Sequence, residues 1–307
     1  MMFIGRFFFF AFSIQKCIFA IFISIFFYMK LFFDSGATKC DCILLNDNGL
    51  YINHYTHNGI NVSYTDDSTI GQTLQFFQKK IGQPVKQIVF SGAGCGNPSN
   101  QTRLGKILTA LFPQSEVQVI SDLLGACIVL SCREPSLVAI LGTGSSACRY
   151  DGQKIAEQAP SLGYLLGDEG SGTYLGKTLI QKYLRKELPD SICTELEERF
   201  QLTPSETIRK IYREPAPNLF FSLFAKFLAE KRNEPVIHQL LLHAFSDFFE
   251  MQIKYLSHFQ SYPLHCTGSI AYHFQDILRE IAEQYQVHIG NISPSPLEKI
   301  KISGIQL

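Results

Sequence analysis

The sequence predicts a tandem α/β fold made of two similar halves. Three observations point to it. Leu31-Phe-Phe-Asp34-Ser-Gly36-Ala-Thr38-Lys39 is an apolar run that ends in a small, hydroxyl-rich turn and leads into a second run, Cys40 to Leu45. Ala139-Ile-Leu-Gly142-Thr143-Gly144-Ser145-Ser146 repeats that design before Ala147 to Tyr150. After each stretch, a third strand is followed by alternating helical and extended segments. The two stretches read as β-hairpins with Gly/Ser/Thr tips, closed by Asn46-Asp-Asn-Gly49 and by Asp151-Gly152. A glycine-containing tip lets backbone N–H groups approach an anion, and hydroxyls add donors. Two such tips suggest a nucleotide phosphate gripped from both sides.

The elements follow in order. Gly49 to His57 supplies a third strand. Ser68 to Ile81 is helical, with apolar residues at Ile70, Leu74, Phe76, Phe77 and Ile81. Gln87 to Phe90 is a short buried strand entering the turn Ser91 to Gly94. Asn100 to Phe112 reads as a helix starting near a Pro98-Ser99-Asn100 cap signal. Val117 to Ile120 is a strand ending at Ser121-Asp122, and Leu123 to Cys132 a buried helix. The pattern restarts with strands Leu137 to Leu141 and Lys154 to Gln158. Helices are predicted over Tyr174 to Leu188, Ser205 to Tyr212, Phe220 to Lys231 and Pro235 to Phe259. Tyr262 to Cys266 is a strand running into Thr267-Gly268-Ser269 and a helix through Tyr285. Three strands followed by alternating helix and strand, done twice, define the tandem design.

Composition sets the bounds. Hydrophobic content of 46% and charged content of 18% describe a globular core. Lys and Arg balance Asp and Glu at 27 each, without a long charged run, which argues against nucleic acid as a partner. The nine cysteines are scattered without a C-x-x-C pair. They read as small apolar residues kept reduced in the cytoplasm, with Cys40 and Cys42 facing one side of a strand. A bridging iron–sulphur cluster is the minority reading. Residues 1–28 are rich in Phe and Ile and lack Asp and Glu. They approach a membrane span in length, but Gln15 and Lys16 interrupt them and no A-x-A-like site precedes Met29. They read as a leader outside the fold, with Met29 as the start of a first domain over 29–133 and a second over 134–307. Membrane contact is expected only if the leader is real. A homodimer stays open.

Each candidate residue carries a bland alternative. Asp34 ends a buried strand, where open α/β sheets place ligands, and can hold Mg²⁺; the alternative is a turn-capping Asp. Asp122 ends another strand. It is either a helix N-cap or a base that takes the proton from a hydroxyl attacking a γ-phosphate. Gly167-Asp168-Glu169-Gly170-Ser171 is a compact acidic turn before a helix, either a close-approach loop or a surface turn. Thr267-Gly268-Ser269 opens a helix that could face a nucleotide or be an ordinary start. Asn61 could donate to a sugar hydroxyl or serve its own turn. Gly170 to Thr178 imitates a P-loop, but Ser171 occupies the position that needs Gly, so Lys177 reads as a solvated helix residue.

The ordered set Phe33-Asp-Ser-Gly-Ala-Thr-Lys-Cys-Asp41, Ile120-Ser-Asp-Leu-Leu-Gly125, Leu141-Gly-Thr-Gly-Ser145, Gly163-Tyr-Leu-Leu-Gly-Asp-Glu-Gly-Ser171 and Thr267-Gly-Ser-Ile-Ala-Tyr272 resembles the actin-like ATPase/sugar kinase superfamily. It most resembles the BadF/BadG-type ATPase family that includes N-acetylglucosamine kinases. The resemblance implies two actin-like (ribonuclease H-like) domains with ATP in a cleft between them. Ser35, Gly36, Thr38 and Lys39 would cradle the phosphates with Gly142, Thr143, Gly144 and Ser145, and Mg²⁺ would lie near Asp34. Gly268 and Ser269 would lie beside the adenosine. Asp122 matches the family's catalytic base. Asn61 and Ser146 lie near matching sugar contacts, with Asp168 and Glu169 in the cleft. Tyr164 departs from the bulky Trp-containing turn of animal N-acetylglucosamine kinases, and Cys40 from a common small or Thr position.

The implied activity is ATP-dependent phosphorylation of an amino sugar, N-acetylglucosamine first. A second reading is an ATPase that activates a partner, as the activators of 2-hydroxyacyl-CoA dehydratases and benzoyl-CoA reductase do. The cysteine context of their shared cluster is not found around Cys127, Cys132 or Cys148. A third is a nucleotide-sensing scaffold on the same fold, against which the intact Asp122 argues.

Overall fold

A computed structural model describes residues 29–36 and 38–305. The leader over residues 1–28 lies outside the described residues. The first half holds β1 (Met29–Ser35), β2 (Lys39–Leu45), β3 (Tyr51–Asn58), α1 (Asp67–Ile81), β4 (Val85–Gly92), α2 (Pro98–Leu111), β5 (Glu116–Ser121) and α3 (Asp122–Leu130). The second holds β6 (Ser136–Leu141), β7 (Ser145–Tyr150) and β8 (Ile155–Gln158), then a helical stretch. That stretch contains α4 (Gly163–Leu166), α5 (Gly172–Leu184), α6 (Asp190–Phe200), α7 (Pro204–Arg213), α8 (Pro217–Ser222), α9 (Ala225–Glu230) and α10 (Pro235–Phe248). It closes with β9 (Leu264–Thr267), α11 (Ser269–His273), α12 (Gln275–Gln284), β10 (Ile289–Ser293) and α13 (Pro296–Ser303).

The duplication read from the two hairpins is real. One five-stranded sheet runs β3-β2-β1-β4-β5 and the other β8-β7-β6-β9-β10, the same order of hairpin and parallel strands. In the first sheet β1 pairs antiparallel with β2 and parallel with β4, which pairs parallel with β5. In the second, β6 stands in the place of β1, between β7 and β9. The C-terminal ends of the parallel strands are therefore aligned in each half. Asp34 lies beside Ser91, and Ile140 beside Thr267, which lies beside Ser293.

Packing follows strand alternation. Leu31, Phe33, Cys40 and Cys42 face the core beneath α1 and α2, so the two cysteines share a side as expected. Phe32, Ile43 and Leu45 face the other way, onto Leu297 and Ile300 of α13. Helix α3 is apolar nearly all round and is buried on several sides; its Leu123, Ala126, Cys127 and Leu130 pack on Val138, Cys148 and Tyr150 of the second sheet. Thus α3 leaves the first sheet to pack on the second, and α13 leaves the second to pack on the first. Both begin at strand ends.

Several predicted helices are divided. The stretch Phe220 to Lys231 breaks into α8 and α9, because the Leu223 N–H turns back to the Phe220 carbonyl and lets Phe221 and Phe224 both point inward. The run Pro235 to Phe259 is helical only to Phe248; a π-helical turn, Phe249–Ile253, follows. The helix expected to run from Ser269 to Tyr285 splits at Phe274, a fully buried side chain with non-helical backbone. Helix α6, strand β10 and helix α13 are additions to the predicted elements. Lys177 is half-buried rather than solvated, and its Nζ donates to the Tyr164 carbonyl at 3.0 Å.

Candidate active site

The first set of candidate residues gathers at the C-terminal ends of β1, β4 and β5. Asp34 stands opposite Asp41 on β2. Burial pushes the Asp34 carboxyl up to about 7, with the charges of Asp122 and Asp41 adding to the effect; Lys39 and a hydrogen bond from Ser295 pull the other way. Asp122 begins α3. Its Oδ1 accepts from the Leu123 N–H at 2.9 Å, while the neighbouring Ser121 hydroxyl caps the helix by accepting from Leu124 N–H at 3.1 Å. The cap role that competed for Asp122 thus belongs to Ser121. Burial also raises the Asp122 carboxyl above its ordinary range, offset by backbone N–H groups. Gly125 permits this approach: a Cβ there would overlap the Ser91 side chain, so only glycine lets α3 lie against β4.

The first tip is braced. Gly36 N–H donates to the Lys39 carbonyl at 2.9 Å, closing the hairpin beside the exposed Thr38. The Ser35 hydroxyl is buried, donating to Ile60 O at 3.1 Å and accepting from Ile60 N–H at 2.9 Å. That hydroxyl ties the tip to the loop bearing Asn61. Ala93 N–H donates to Ser35 O and Val62 N–H to Ala93 O, so Asn61 is drawn to the same strand ends. Asn61 Oδ1 also accepts from Ser63 N–H at 3.1 Å, serving its own turn. Lys39 extends from the tip to Asp41, with Nζ 2.6 Å from Oδ2. Asp41 is buried; burial alone would raise its carboxyl, but hydrogen bonds from Lys39, Thr56 and His54 and the Lys39 charge hold it below the usual range.

The second set gathers at the ends of β6 and β9. Gly142 N–H donates to Gly144 O at 3.0 Å. The tip is bolted to the start of α5: Gly172 N–H donates to Gly142 O, and both the N–H and hydroxyl of Thr173 donate to Thr143 O. Asp168 adopts a left-handed backbone, φ 59°, and its Oδ1 accepts from Ser145 N–H at 3.3 Å. Burial raises the Asp168 carboxyl, with the Ser145 N–H pulling it back and the Glu169 charge adding. Glu169 Oε2 accepts from Gln252 Nε2 at 3.0 Å. Ser146, half-buried on β7, accepts from Gln158 Nε2 at 3.4 Å. Gly268 has φ 110°, and a Cβ there would strike the Leu141 carbonyl; this brings the start of α11, with Ser269 at its first position, onto the second tip.

The two sets meet through the crossing helices. Ser295 caps α13 close enough to Asp34 to lower its carboxyl, while the Ser293 hydroxyl donates to Ser295 O at 2.6 Å. Gly268 N–H in turn donates to Ser293 O at 3.1 Å. A continuous path of contacts therefore runs from Asp34 to the Gly142 tip. The surface hollows on the outer helices, one lined by Asn233, Pro235, His238 and Gln239, involve none of these residues.

Asp41, Gln252 and Ser295 were not among the predicted site residues. Asp41 was visible as the lone acid in the apolar strand Cys40 to Leu45, and Ser295 as a cap before Pro296. Gln252 gave no signal of its own.

Two sheets of identical strand order, with crossing helices and carboxylates at aligned strand ends, define an actin-like ATPase/sugar kinase fold. No family model matches the chain, and no curated protein does. Among solved structures, a candidate N-acetylglucosamine kinase from Porphyromonas gingivalis superposes with a TM-score of 0.85 at 32% identity, over 89% of this chain and 98% of the other. One from Chromobacterium violaceum gives 0.68 at 17% identity, over 90% and 98%. The fold extends to a ROK family glucokinase from Streptomyces griseus, in complex with glucose and AMPPNP, with a TM-score of 0.50 at 10% identity over 87% and 93%. The chain belongs to the N-acetylglucosamine kinase-like, BadF/BadG-type family of the actin-like ATPase/sugar kinase superfamily.

Among the described residues, no helix is long and apolar enough to cross a membrane. Nor does any cluster of three or more His, Cys, Asp or Glu among them form a metal-binding group. Cys127 and Cys148 lie with their Sγ atoms 3.4 Å apart in the core between α3 and β7.

Proposed function

We propose that this chain is an ATP-dependent sugar kinase that phosphorylates a primary hydroxyl of an amino sugar, N-acetylglucosamine foremost. The observation that carries the reading is Asp122, a half-buried carboxylate with a raised pKa, set at the head of α3 close enough to Asp34 for its charge to be felt there. In this reading Asp122 takes the hydroxyl proton as the sugar oxygen attacks the γ-phosphorus; the O–P bond forms and the bond to ADP breaks. A base raised toward neutrality is better matched to that transfer than an ordinary carboxylate.

Asp34 would hold Mg²⁺. The donor set suits it: Mg²⁺ takes one or two carboxylates and completes its shell with phosphate oxygens and water. The Asp122 charge, which raises the Asp34 pKa, also favours a cation there. Bound there, Mg²⁺ supplies neutralising charge to the phosphate oxygens. The two tips, Ser35, Gly36, Thr38 and Lys39 on one side and Gly142 to Ser145 on the other, are proposed to hold the triphosphate, with Gly268 and Ser269 at the nucleoside. Asn61, Ser146, Asp168 and Glu169 are proposed to contact the sugar. The halves over 29–133 and 134–307 would close on both substrates, excluding water and limiting futile hydrolysis. The enzyme is proposed to work in the cytoplasm, where its buried thiols stay reduced.

A coupled assay over a panel of hexoses and N-acetylhexosamines tests this. Sugar-dependent ADP release, strongest with N-acetylglucosamine, is the expected result. ADP release that ignores every sugar, from a brown iron-containing preparation, would assign the chain to the partner-activating ATPases.

A further inference from the structure

Gln252 lies far from every glycine-rich motif, yet its side-chain amide joins two of them. It sits in the π-helical turn Phe249–Ile253 and is 4% exposed. Its Nε2 donates to Ser145 Oγ at 2.8 Å, across 107 residues of sequence, and to Glu169 Oε2 at 3.0 Å. The chemistry dictates this orientation. An ionised carboxylate only accepts, so the nitrogen of the amide must face Glu169. The same nitrogen then occupies an acceptor position of the Ser145 hydroxyl. That leaves the hydroxyl proton to be donated elsewhere, which suits an anionic phosphate oxygen. The backbone N–H of Ser145 is meanwhile engaged by Asp168.

The amide arrives on a π turn. One extra residue in a turn shifts the helical phase of everything after it, and such turns recur at functional sites. Gln252 and Ile253 continue the buried pairs Leu240–Leu241, Ala244–Phe245 and Phe248–Phe249, and the π turn carries the last of them to the second tip.

We propose that Gln252 is a positioning residue for phosphoryl transfer. By donating to Ser145 and Glu169 together, it turns the Ser145 hydroxyl into a donor for the transferred group and fixes the acidic turn beside it. The proposal rests on the kinase reading above.

A double-mutant cycle tests it. Gln252→Met preserves length and removes both donors; kcat/KM for ATP should fall roughly 10- to 100-fold. Ser145→Ala should fall by a similar factor, and the double variant should be no worse than the poorer single variant by more than about twofold. Gln252→Glu gives a second readout. Its new carboxyl can share a proton with Glu169 and regain a donor, so its activity relative to wild type should rise as pH drops from about 8 to about 6. Losses that multiply in the double variant, or a pH-independent ratio for Gln252→Glu, overturn the proposal while leaving the kinase intact. If Gln252→Met does not fold, the Gln252→Glu ratio decides alone. A wild-type chain without sugar-dependent ADP release removes the kinase reading and this inference with it.

Discussion

Asp34 and Asp41 are direct cross-strand partners, yet their carboxyls are driven in opposite directions. Burial and neighbouring negative charge push Asp34 up to about 7, whereas Lys39, Thr56 and His54 surround Asp41 with donors and hold it low. One strand pair thus carries a carboxyl raised by burial and another held low by its donors.

Asp41→Asn should therefore loosen the first tip. It takes the anionic partner from the Lys39 ammonium and leaves a single neutral amide oxygen for the His54–Thr56 pair. We expect a loss of about 1–3 kcal/mol in urea unfolding at neutral pH. The sign follows from the lowered carboxyl: its stabilisation is present above the unfolded pKa of 3.8 and is lost as pH falls through the lower folded value. The gap between wild type and variant should close below about pH 4. A gap that persists in strong acid would count against this role.

Asp122→Asn retains the side-chain shape and an oxygen that can accept from Leu123 N–H, but loses the proton acceptor. Turnover should fall by roughly 10²- to 10⁴-fold. Binding of a non-hydrolysable ATP analogue, followed by calorimetry, should stay near the wild-type value. Undiminished turnover would refute the role of base.

His265 predicts an acid-sensitive core. It is buried on β9, and its Nδ1 accepts from the Asn291 N–H at 2.8 Å, which only a ring unprotonated at that nitrogen can do. Burial, with the charges of Lys299 and His288 adding, lowers its pKa from 6.5 to about 4. Between those values the unfolded chain binds the proton and the folded chain does not. Stability should accordingly fall as pH drops from 6.5 toward about 4. A thermal-denaturation series should show this slope in wild type and a shallower one in His265→Gln.

Much of the architecture was legible in the sequence because the signals are local. The Asp34 and Gly142 tips stand out as small polar turns between apolar runs, and α1 declares itself through Ile70, Leu74, Phe77 and Ile81 on one face. The divided helices were not legible, since Phe221, Phe224 and Phe274 look like ordinary members of an apolar stripe. Only packing against neighbouring layers shows that the backbone must break to bury them. Asp122 reads as either cap or base in the sequence, and only the structure shows that Ser121 takes the cap bond from Leu124 N–H.

By itself, the sequence determined two hairpin-led α/β halves and placed acids and glycines at the ends of their strands, because strand alternation, helical period and turn chemistry act over a few residues. Tertiary structure alone decided which of those ends meet. The strand order in each sheet and the crossing of α3 and α13 bring Ser295 to Asp34 and Gly268 to Leu141, and the π turn brings Gln252 to Ser145. Such pairings join residues far apart in the chain, and their geometry is fixed by burying both faces of each sheet rather than by any local preference.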